Sequence, residues 1–310
     1  MTTSLLLLLL SILLVISGSA VLSASEVSSI QFNQAVDAAM YELAQDTTFQ
    51  NYVSDHHPFI VPTCNAKTLY PSRSPIPFNV ININVCTHTQ DTFDDWSRLY
   101  RKVGNGLVGN LNKKYGLTLN ATFLSVDTTV LGYFPSMKAA VDNGKCDIVV
   151  SDTTITAERG LVVKFAQCPY GFSSDGFLRT ELDNNTITGI DSIAKLNRAD
   201  VKVAYYGGTI YDTIVNQTLP LAQKFPATFD EQYQMVLQKR VHALIGDVVD
   251  LYNWKTQNTA ACPSCFVKTF GDAAPFGIFT ANTTRSNDGV STVQFALGLV
   301  LMVASLFLIF

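Results

Sequence analysis

Charge is scarce in this chain, and it is missing from both ends. Only 15% of the 310 residues are Asp, Glu, Lys or Arg, and the formal net charge is −4. That balance supplies no basic patch, which removes nucleic acid from the candidate partners. The four histidines, His56, His57, His88 and His242, show no metal-ligand spacing, and Cys262-Pro-Ser-Cys265 has no second half-site. A structural zinc is thereby excluded, and no cofactor is expected. The chain carries no permease or ATPase segment, so a role in transport would need partners supplied by other chains.

No charged residue precedes Glu26, and Leu5–Ile16 is a hydrophobic run followed by Ser17-Gly18-Ser19-Ala20. This reads as a secretory signal peptide over 1–24, although its first residues lack Lys or Arg. The far end, Val293–Phe310, is almost wholly apolar, with no Lys or Arg after it and with small polar residues before it. That layout is a GPI-anchor signal over 286–310, with Ser286 as the attachment residue. The rival is a single transmembrane helix, of marginal length. Four Asn-x-Ser/Thr sequons, at Asn120, Asn184, Asn216 and Asn282, point the same way. The expected location is the outer face of the plasma membrane, with a lipid anchor as the membrane partner; a protein partner is unknown. Six cysteines in an exported chain read as disulfides, and six allow 15 pairings. The pairs expected are Cys146–Cys168, which would staple a strand to the helix after it, Cys64–Cys86 and Cys262–Cys265.

Most of the chemistry gathers in Cys146–Tyr170, CDIVVSDTTITAERGLVVKFAQCPY. Asp147–Val150 suits a buried parallel strand. Ser151-Asp152-Thr153-Thr154 then turns the chain, Thr156 stands at a helix N-cap position, and Arg159 falls in the first turn. Strand end, hydroxyls, amides and a guanidinium converge on one point, a combination suited to a carboxylate. The bland alternative is a structural salt bridge from Arg159 to Asp152 or Glu158.

In that stretch Gly144-x-x-Asp147, Thr156-x-x-Arg159 and Phe165-x-x-x-Pro169-Tyr170 stand in order. The pattern resembles the family 3 extracellular solute-binding proteins, the periplasmic amino-acid-binding proteins. The resemblance implies an α/β fold of two lobes, the type 2 periplasmic-binding-protein fold, with two parallel-type sheets flanked by helices and joined by two crossing segments. It also implies that Thr154 and Arg159 hold a ligand carboxylate from one lobe, and that Gly208 and Thr209, after the strand Val201–Tyr206, hold it from the other. Asp247, at the end of Arg240-Val241-His242-Ala243-Leu244-Ile245-Gly246-Asp247, matches the acid that binds an α-amino group; His242 stands where the family has Asp. Asp152 is counted with the ligand-binding residues as well, although the family often has a small or hydroxyl residue there and an acid beside Arg159 could neutralise it. The family also takes a ligand residue from the end of the first strand, and Thr87–Asp91 is the polar stretch that could supply it.

Phe32, Val36, Met40 and Leu43 recur at helical intervals, and Thr47–Val53 follows as a shorter helix. This phrase resembles the helix pair that closes the family's chain, which implies a circular permutation. The domains expected are lobe 1 over 26–180, comprising the N-terminal helices, a Pro-rich linker over 56–77 and a core over 78–180. Lobe 2 spans 181–270, and 271–285 returns to lobe 1. Within lobe 1, Phe78–Cys86 is the first strand. A helix through Lys114 follows, in which Gly104, Gly106 and Gly109 either weaken the helix or admit another backbone.

The function this implies is extracellular binding of a small carboxylate-bearing solute such as an amino acid, without catalysis. Two alternatives stand beside it: a cyclohexadienyl-dehydratase-like enzyme using a cleft acid, and a degenerate binding fold serving as a surface receptor or adhesion module.

Overall fold

The computed structural model describes residues 29–56, 64, 67–88, 94–180 and 189–282. The signal-peptide and anchor segments, Ser286 and Asn184 lie outside the described residues. In chain order the elements are α1 (Ser29–Gln45), α2 (Thr47–His56), β1 (Asn82–His88), α3 (Asp94–Tyr115), β2 (Asn120–Val126), α4 (Tyr133–Asp142), β3 (Ile148–Val149), α5 (Ala157–Gly160), β4 (Val163–Phe165) and β5 (Gly171–Thr180). Then come α6 (Ile193–Leu196), β6 (Lys202–Tyr206), α7 (Ile210–Thr218), β7 (Gln223–Ala227), α8 (Phe229–Leu237), β8 (Ala243–Asp247), α9 (Val248–Gln257), β9 (Cys265–Phe276) and β10 (Phe279–Ala281).

They form two five-stranded sheets, ordered β2-β1-β3-β10-β4 and β7-β6-β8-β5-β9. β1 runs parallel to β2 and β3, and β6 runs parallel to β7 and β8. The chain passes between the sheets along β5 and β9, which pair antiparallel over almost their whole length. β9 is one strand from lobe 2 to the crossing, where the sequence suggests a strand to Phe270 and a separate return. Parallel strands separated by helices bring their C-terminal ends to one edge, and there the two sheets face each other.

Lobe 1 is built around α3. Its apolar stripe, with Trp96, Tyr100, Val103, Leu107 and Leu111, is buried. Two of its glycines are sites of close approach: a Cβ on Gly104 would lie 2.8 Å from the Phe123 ring, and one on Gly106 would lie 2.7 Å from Leu43. The helix pair α1–α2 packs on α3 and beside the last strand, burying Phe32, Val36, Met40, Leu43, Phe49 and Val53. Thr280 donates to Asn33 Oδ1 at 2.6 Å, Asn33 donates to the Ala281 carbonyl, and Gln167 N donates to the buried Asp37 carboxylate at 3.1 Å. These contacts hold the pair against lobe 1 and its last strand.

Two of the three expected disulfides are corrected. The bonds are Cys64–Cys168, Cys86–Cys146 and Cys262–Cys265, with Cα separations of 5.4, 5.6 and 5.3 Å. Cys86 and Cys146 meet because β1 lies directly beside β3, and both cysteines are buried in the α4 side of the sheet. Cys168 lies after β4, across the lobe from Cys146, where the linker carrying Cys64 runs past the end of α1; Gln45 donates to the Cys64 carbonyl. Sequence proximity to the strand-helix unit was a poor guide, because β10 is inserted between β3 and β4.

The lobes touch. Thr128 Oγ1 and Tyr206 OH are 3.0 Å apart, and Trp96 Nε1 donates to Asp250 Oδ1 at 2.8 Å. Gly132 (φ 83°) and Gly208 (φ 74°) meet back to back: a Cβ on Gly208 would lie 2.7 Å from the Gly132 Cα. Only glycine satisfies both the left-handed backbone and that approach.

Three measurements check these features. Non-reducing peptide mapping should recover Cys64 linked to Cys168 and Cys86 linked to Cys146; a Cys146–Cys168 peptide refutes the arrangement. Replacing both Cys64 and Cys168 by Ser should lower stability by about 2–4 kcal/mol in chemical denaturation. Gly208→Ala should leave the disulfides intact but hold the lobes apart, seen as an increased radius of gyration in small-angle scattering. An unchanged radius would show that the glycine contact does not limit closure.

Candidate functional site

The edge where the strands end is a cleft of about 70 Å³ between the lobes. At ~10–15 Å³ per water this is room for roughly five to seven waters, the scale of a small solute. Two parallel strands of each sheet point into it. β1 delivers His88, the turn after β3 delivers Asp152 and Thr154, the turn after β6 delivers Thr209, and the end of β8 delivers Asp247.

Arg159 enters from the single turn α5. Thr156 caps that turn, its hydroxyl accepting from Arg159 N at 3.1 Å. At four residues, α5 is too short to present a helix-terminus anion site, and one of its amides is already used. The guanidinium therefore carries the chemistry. It is buried, at 8% exposure, donates through Nη1 to the Thr154 carbonyl at 3.0 Å, and lies 4.6 Å over the Phe134 ring. Among the described residues no carboxylate lies within ion-pair distance of it, so the salt bridge to Asp152 or Glu158 that the sequence left open does not form. Burial pulls its pKa down from the ordinary arginine value, opposed by the nearby Tyr133, Asp152 and Tyr211.

Asp152 is turned aside. Its Oδ1 accepts from Tyr133 OH and from Ser151 Oγ, both at 3.1 Å. Tyr133 also lies 2.9 Å from the Thr153 hydroxyl, and burial raises its own pKa well above the usual phenol value. The acid beside Arg159 is thus held by hydroxyls rather than by the guanidinium.

In lobe 2 the expected pair divides. Thr209 lines the cleft and caps α7, accepting from Tyr211 N at 3.2 Å and donating to the Tyr206 carbonyl at 2.6 Å. The Gly208 amide donates to Asp212 Oδ2 at 2.7 Å, and its Cα abuts Gly132, so Gly208 serves the lobe contact instead. Asp247 stands in the cleft and caps α9 through Val249 N at 2.7 Å. It also lies opposite Asp175 across the β5–β8 ladder. Burial pushes Asp247 up to about 7, with the Asp152 and Asp175 charges adding to the rise, and burial pushes Asp175 up to about 6.

His88, within the polar stretch Thr87–Asp91 expected to supply a ligand residue, reaches the cleft because strand β1 runs two residues past Cys86, whereas the aromatic lining residues escaped the sequence reading. The His88 ring packs edge-on to Tyr133 at 5.2 Å, burial lowers its pKa, and its buried Nε2 has no hydrogen-bond partner among the described residues. Tyr206, Tyr211, Phe229, Tyr233 and Asp250 complete the wall. Thr228, with its Glu231 capping box, starts α8, which carries Phe229 and Tyr233 into the cleft lining. The only signal available was positional: Tyr211 and Asp250 each follow a strand-to-helix cap by two or three residues. His242, the departure from the family pattern, lies outside the cleft lining; its Nδ1 accepts from Lys202 N at 2.8 Å. Among the described residues no group of His, Cys, Asp or Glu is placed to hold a metal ion.

Asp247 generates a stability prediction. An acid whose folded pKa exceeds its ordinary value of 3.8 holds its proton more tightly when folded. Stability from this source is complete below the unfolded value and is lost as pH rises through about 7. Asp247→Asn, which can still cap α9, should match the parent near pH 4 and exceed it at pH 8 by on the order of 1–3 kcal/mol in urea denaturation. A variant equally destabilised at both pH values would contradict this.

No family model matches the chain, and a search of curated proteins finds no match. Solved structures do. An ancestral amino-acid-binding protein described as a precursor of cyclohexadienyl dehydratase superposes with a TM-score of 0.52 at 24% identity, covering 65% of this chain and 82% of that one. An ancestral arginine-binding protein bound to arginine gives 0.51 at 21% identity, covering 67% and 87%. A putative binding component of an ABC transporter from Wolinella succinogenes, complexed with lysine, gives 0.51 at 15% identity, covering 72% and 91%. Together with the two five-stranded sheets, the two crossing strands and the cleft between them, these likenesses identify the chain's architecture as the two-lobed fold of the periplasmic binding proteins.

Proposed function

We propose that the protein captures a small α-amino-acid-like solute in the cleft between its lobes and does not transform it. The observation that carries this reading is Arg159: a buried guanidinium with no carboxylate partner among the described residues, in a solute-sized cleft whose other lobe presents Asp247. A ligand carboxylate supplies the missing counter-charge through a two-pronged contact, aided by Thr154 and Thr209. Asp247 takes the ammonium. Asp152 lines the same cleft but is tied to Tyr133, and Gly208 acts through the lobe contact instead of touching the ligand. Ligand groups that bind both lobes favour the closed arrangement, which couples capture to hinge motion. The solved structures that share the fold include proteins named as arginine-bound and lysine-complexed, which supports this class of ligand.

One observation favours a second reading. An acid raised to about 7, as Asp247 is, can donate a proton at neutral pH, and one neighbour in fold is described as a dehydratase precursor. Release of phenylpyruvate or phenylalanine from prephenate or arogenate, lost in Asp247→Asn, would establish that activity.

The binding domain is proposed to stand outside the cell, held to the membrane by a lipid anchor. The leader-like and tail-like runs, the six disulfide-bonded cysteines and the exposed sequon residues Asn120 and Asn216 support this placement. Among the described residues no helix is long and apolar enough to cross a membrane.

Titrating a panel of amino acids should raise the melting temperature, and Arg159→Ala should abolish the rise. An undiminished shift in the variant removes Arg159 from the site; no shift with any α-amino acid removes the function.

A further inference from the structure

Exposed apolar side chains gather at the end of lobe 1 that faces away from the cleft. Six of the ten large hydrophobic residues exposed among the described residues stand there: Ile30, Leu69, Phe78, Ile81, Leu161 and Val162. Scattered singly, such residues are ordinary; grouped at one end, they mark a surface that meets something apolar. We propose that this end of lobe 1 rests on the lipid bilayer and holds the cleft outward. The inference goes beyond solute capture and rests on the lipid-anchor reading above.

The topology puts these residues together. β1, β2 and β3 run parallel toward the cleft, so the residues that precede them lie at the opposite end. Phe78 and Ile81 precede β1, and the Ile81 carbonyl accepts from Asn120 N at the start of β2. β10 runs the other way, so its last residue, Ala281, is level with Val163, the first of β4. Leu161 and Val162 come just before Val163. Three strand spacings separate β1 from β4, about 14–15 Å, so one flat surface can meet both groups. The start of α1 joins them. Asn33 donates to the Ala281 carbonyl, Ile30 stands one turn earlier, and Gln34 donates to the Leu69 carbonyl at 2.8 Å.

Two further observations choose the bilayer as the occupant. The first is where the chain leaves the described fold. Asn282 donates to the Leu161 carbonyl at 3.0 Å, within this end. Ser286, the proposed anchor residue, is four residues on, a reach of at most ~14 Å. The apolar run from Val293 begins eleven residues on. A tether that short keeps this end beside the membrane. The second is charge. The groove beside Phe78 is lined by Arg73 and Lys114 and, among the described residues, by no acid. Phe78 itself is 93% exposed. A ring set among cations suits a bilayer interface, where the ring enters at headgroup level and the cations meet lipid phosphates. The other exposed hydrophobics lie elsewhere: Val130 and Leu131 follow β2 at the cleft end, and Leu221 and Tyr252 belong to lobe 2.

The test uses protein expressed from the full sequence, isolated in detergent and reconstituted into phosphatidylcholine vesicles with brominated or plain acyl chains. Bromine quenches a tryptophan that enters the bilayer, and the buried Trp96 and Trp254 give a constant background. Single substitutions at exposed positions carry the reporter: Phe78→Trp and Leu161→Trp at the proposed contact, and Val130→Trp at the cleft end. Brominated lipid should remove about half or more of the added emission from the first two and leave the third within about a tenth of its value. Equal quenching at all three positions overturns the inference and leaves the anchor standing. So does an absence of quenching at positions 78 and 161 in protein that floats with the vesicles. Quenching that appears only once Asn120→Gln has removed a sequon shows that a glycan covers this end. A blue shift of the added emission with protein concentration, without vesicles, shows that a second copy covers it. Either result overturns the inference. Protein that does not float with the vesicles removes the anchor reading, and the inference with it.

Discussion

A guanidinium buried without a carboxylate is the constraint on which the cleft depends. Taking a charge out of water is costly, and one carbonyl hydrogen bond and one ring face return only part of that cost. Arg159 is kept in this state because the acid that lines the cleft beside it, Asp152, is held by the hydroxyls of Tyr133 and Ser151. The aromatic and hydroxyl groups around it therefore have an electrostatic purpose: they leave the cation available. In the proposed function a ligand carboxylate completes the pair, and the energy of that completion is what closure would draw on.

The frame around this centre is made rigid where the cleft is not. Cys86–Cys146 clamps the two parallel strands whose ends carry His88 and Asp152, and Cys64–Cys168 ties the linker to the approach of the first crossing strand. The helix pair α1–α2 buries its apolar face on α3 and hydrogen-bonds the last strand, so that lobe 1 is closed by elements from both ends of the described chain. Among the described residues the lobes meet through contacts that include one glycine pair, one indole-carboxylate bond, one pair of hydroxyls and the rings of His88 and Tyr206. Each disulfide lies within one lobe and none bridges the two, which leaves the crossing strands as the covalent links about which a hinge would act.

Much of this was legible in order along the chain. The buried stripe of α3, the N-cap at Thr156, the cap at Thr209 and the strand ending at Asp247 each follow from local rules of periodicity and capping, which act over a few residues. The site was half legible for the same reason. Arg159, Thr154, Asp152, Thr209 and Asp247 all lie at strand-to-helix turns and all reach the cleft. His88 fell within the expected stretch Thr87–Asp91 but was not singled out in it, because the alternation that marks β1 gives no sign of where the strand stops. Gly208 was assigned to the ligand because Gly-Thr before a helix looks the same whether its amide faces a solute or, as here, Asp212.

What the sequence by itself determined is local: helices, strands, caps, the even number of cysteines and the order of the parts of a two-lobed α/β chain. These depend on neighbours a few positions apart. Only the tertiary structure decided which cysteines bond, because the insertion of β10 between β3 and β4 separates Cys146 from Cys168. It also decided that Arg159 is left without a carboxylate among the described residues while Asp152 is bound elsewhere, that Gly208 meets Gly132, and that Asp152, Asp247 and Asp250 line one cleft with Arg159. Each of these is a distance between residues remote in the chain, and such distances are set by how the two sheets pack and face each other.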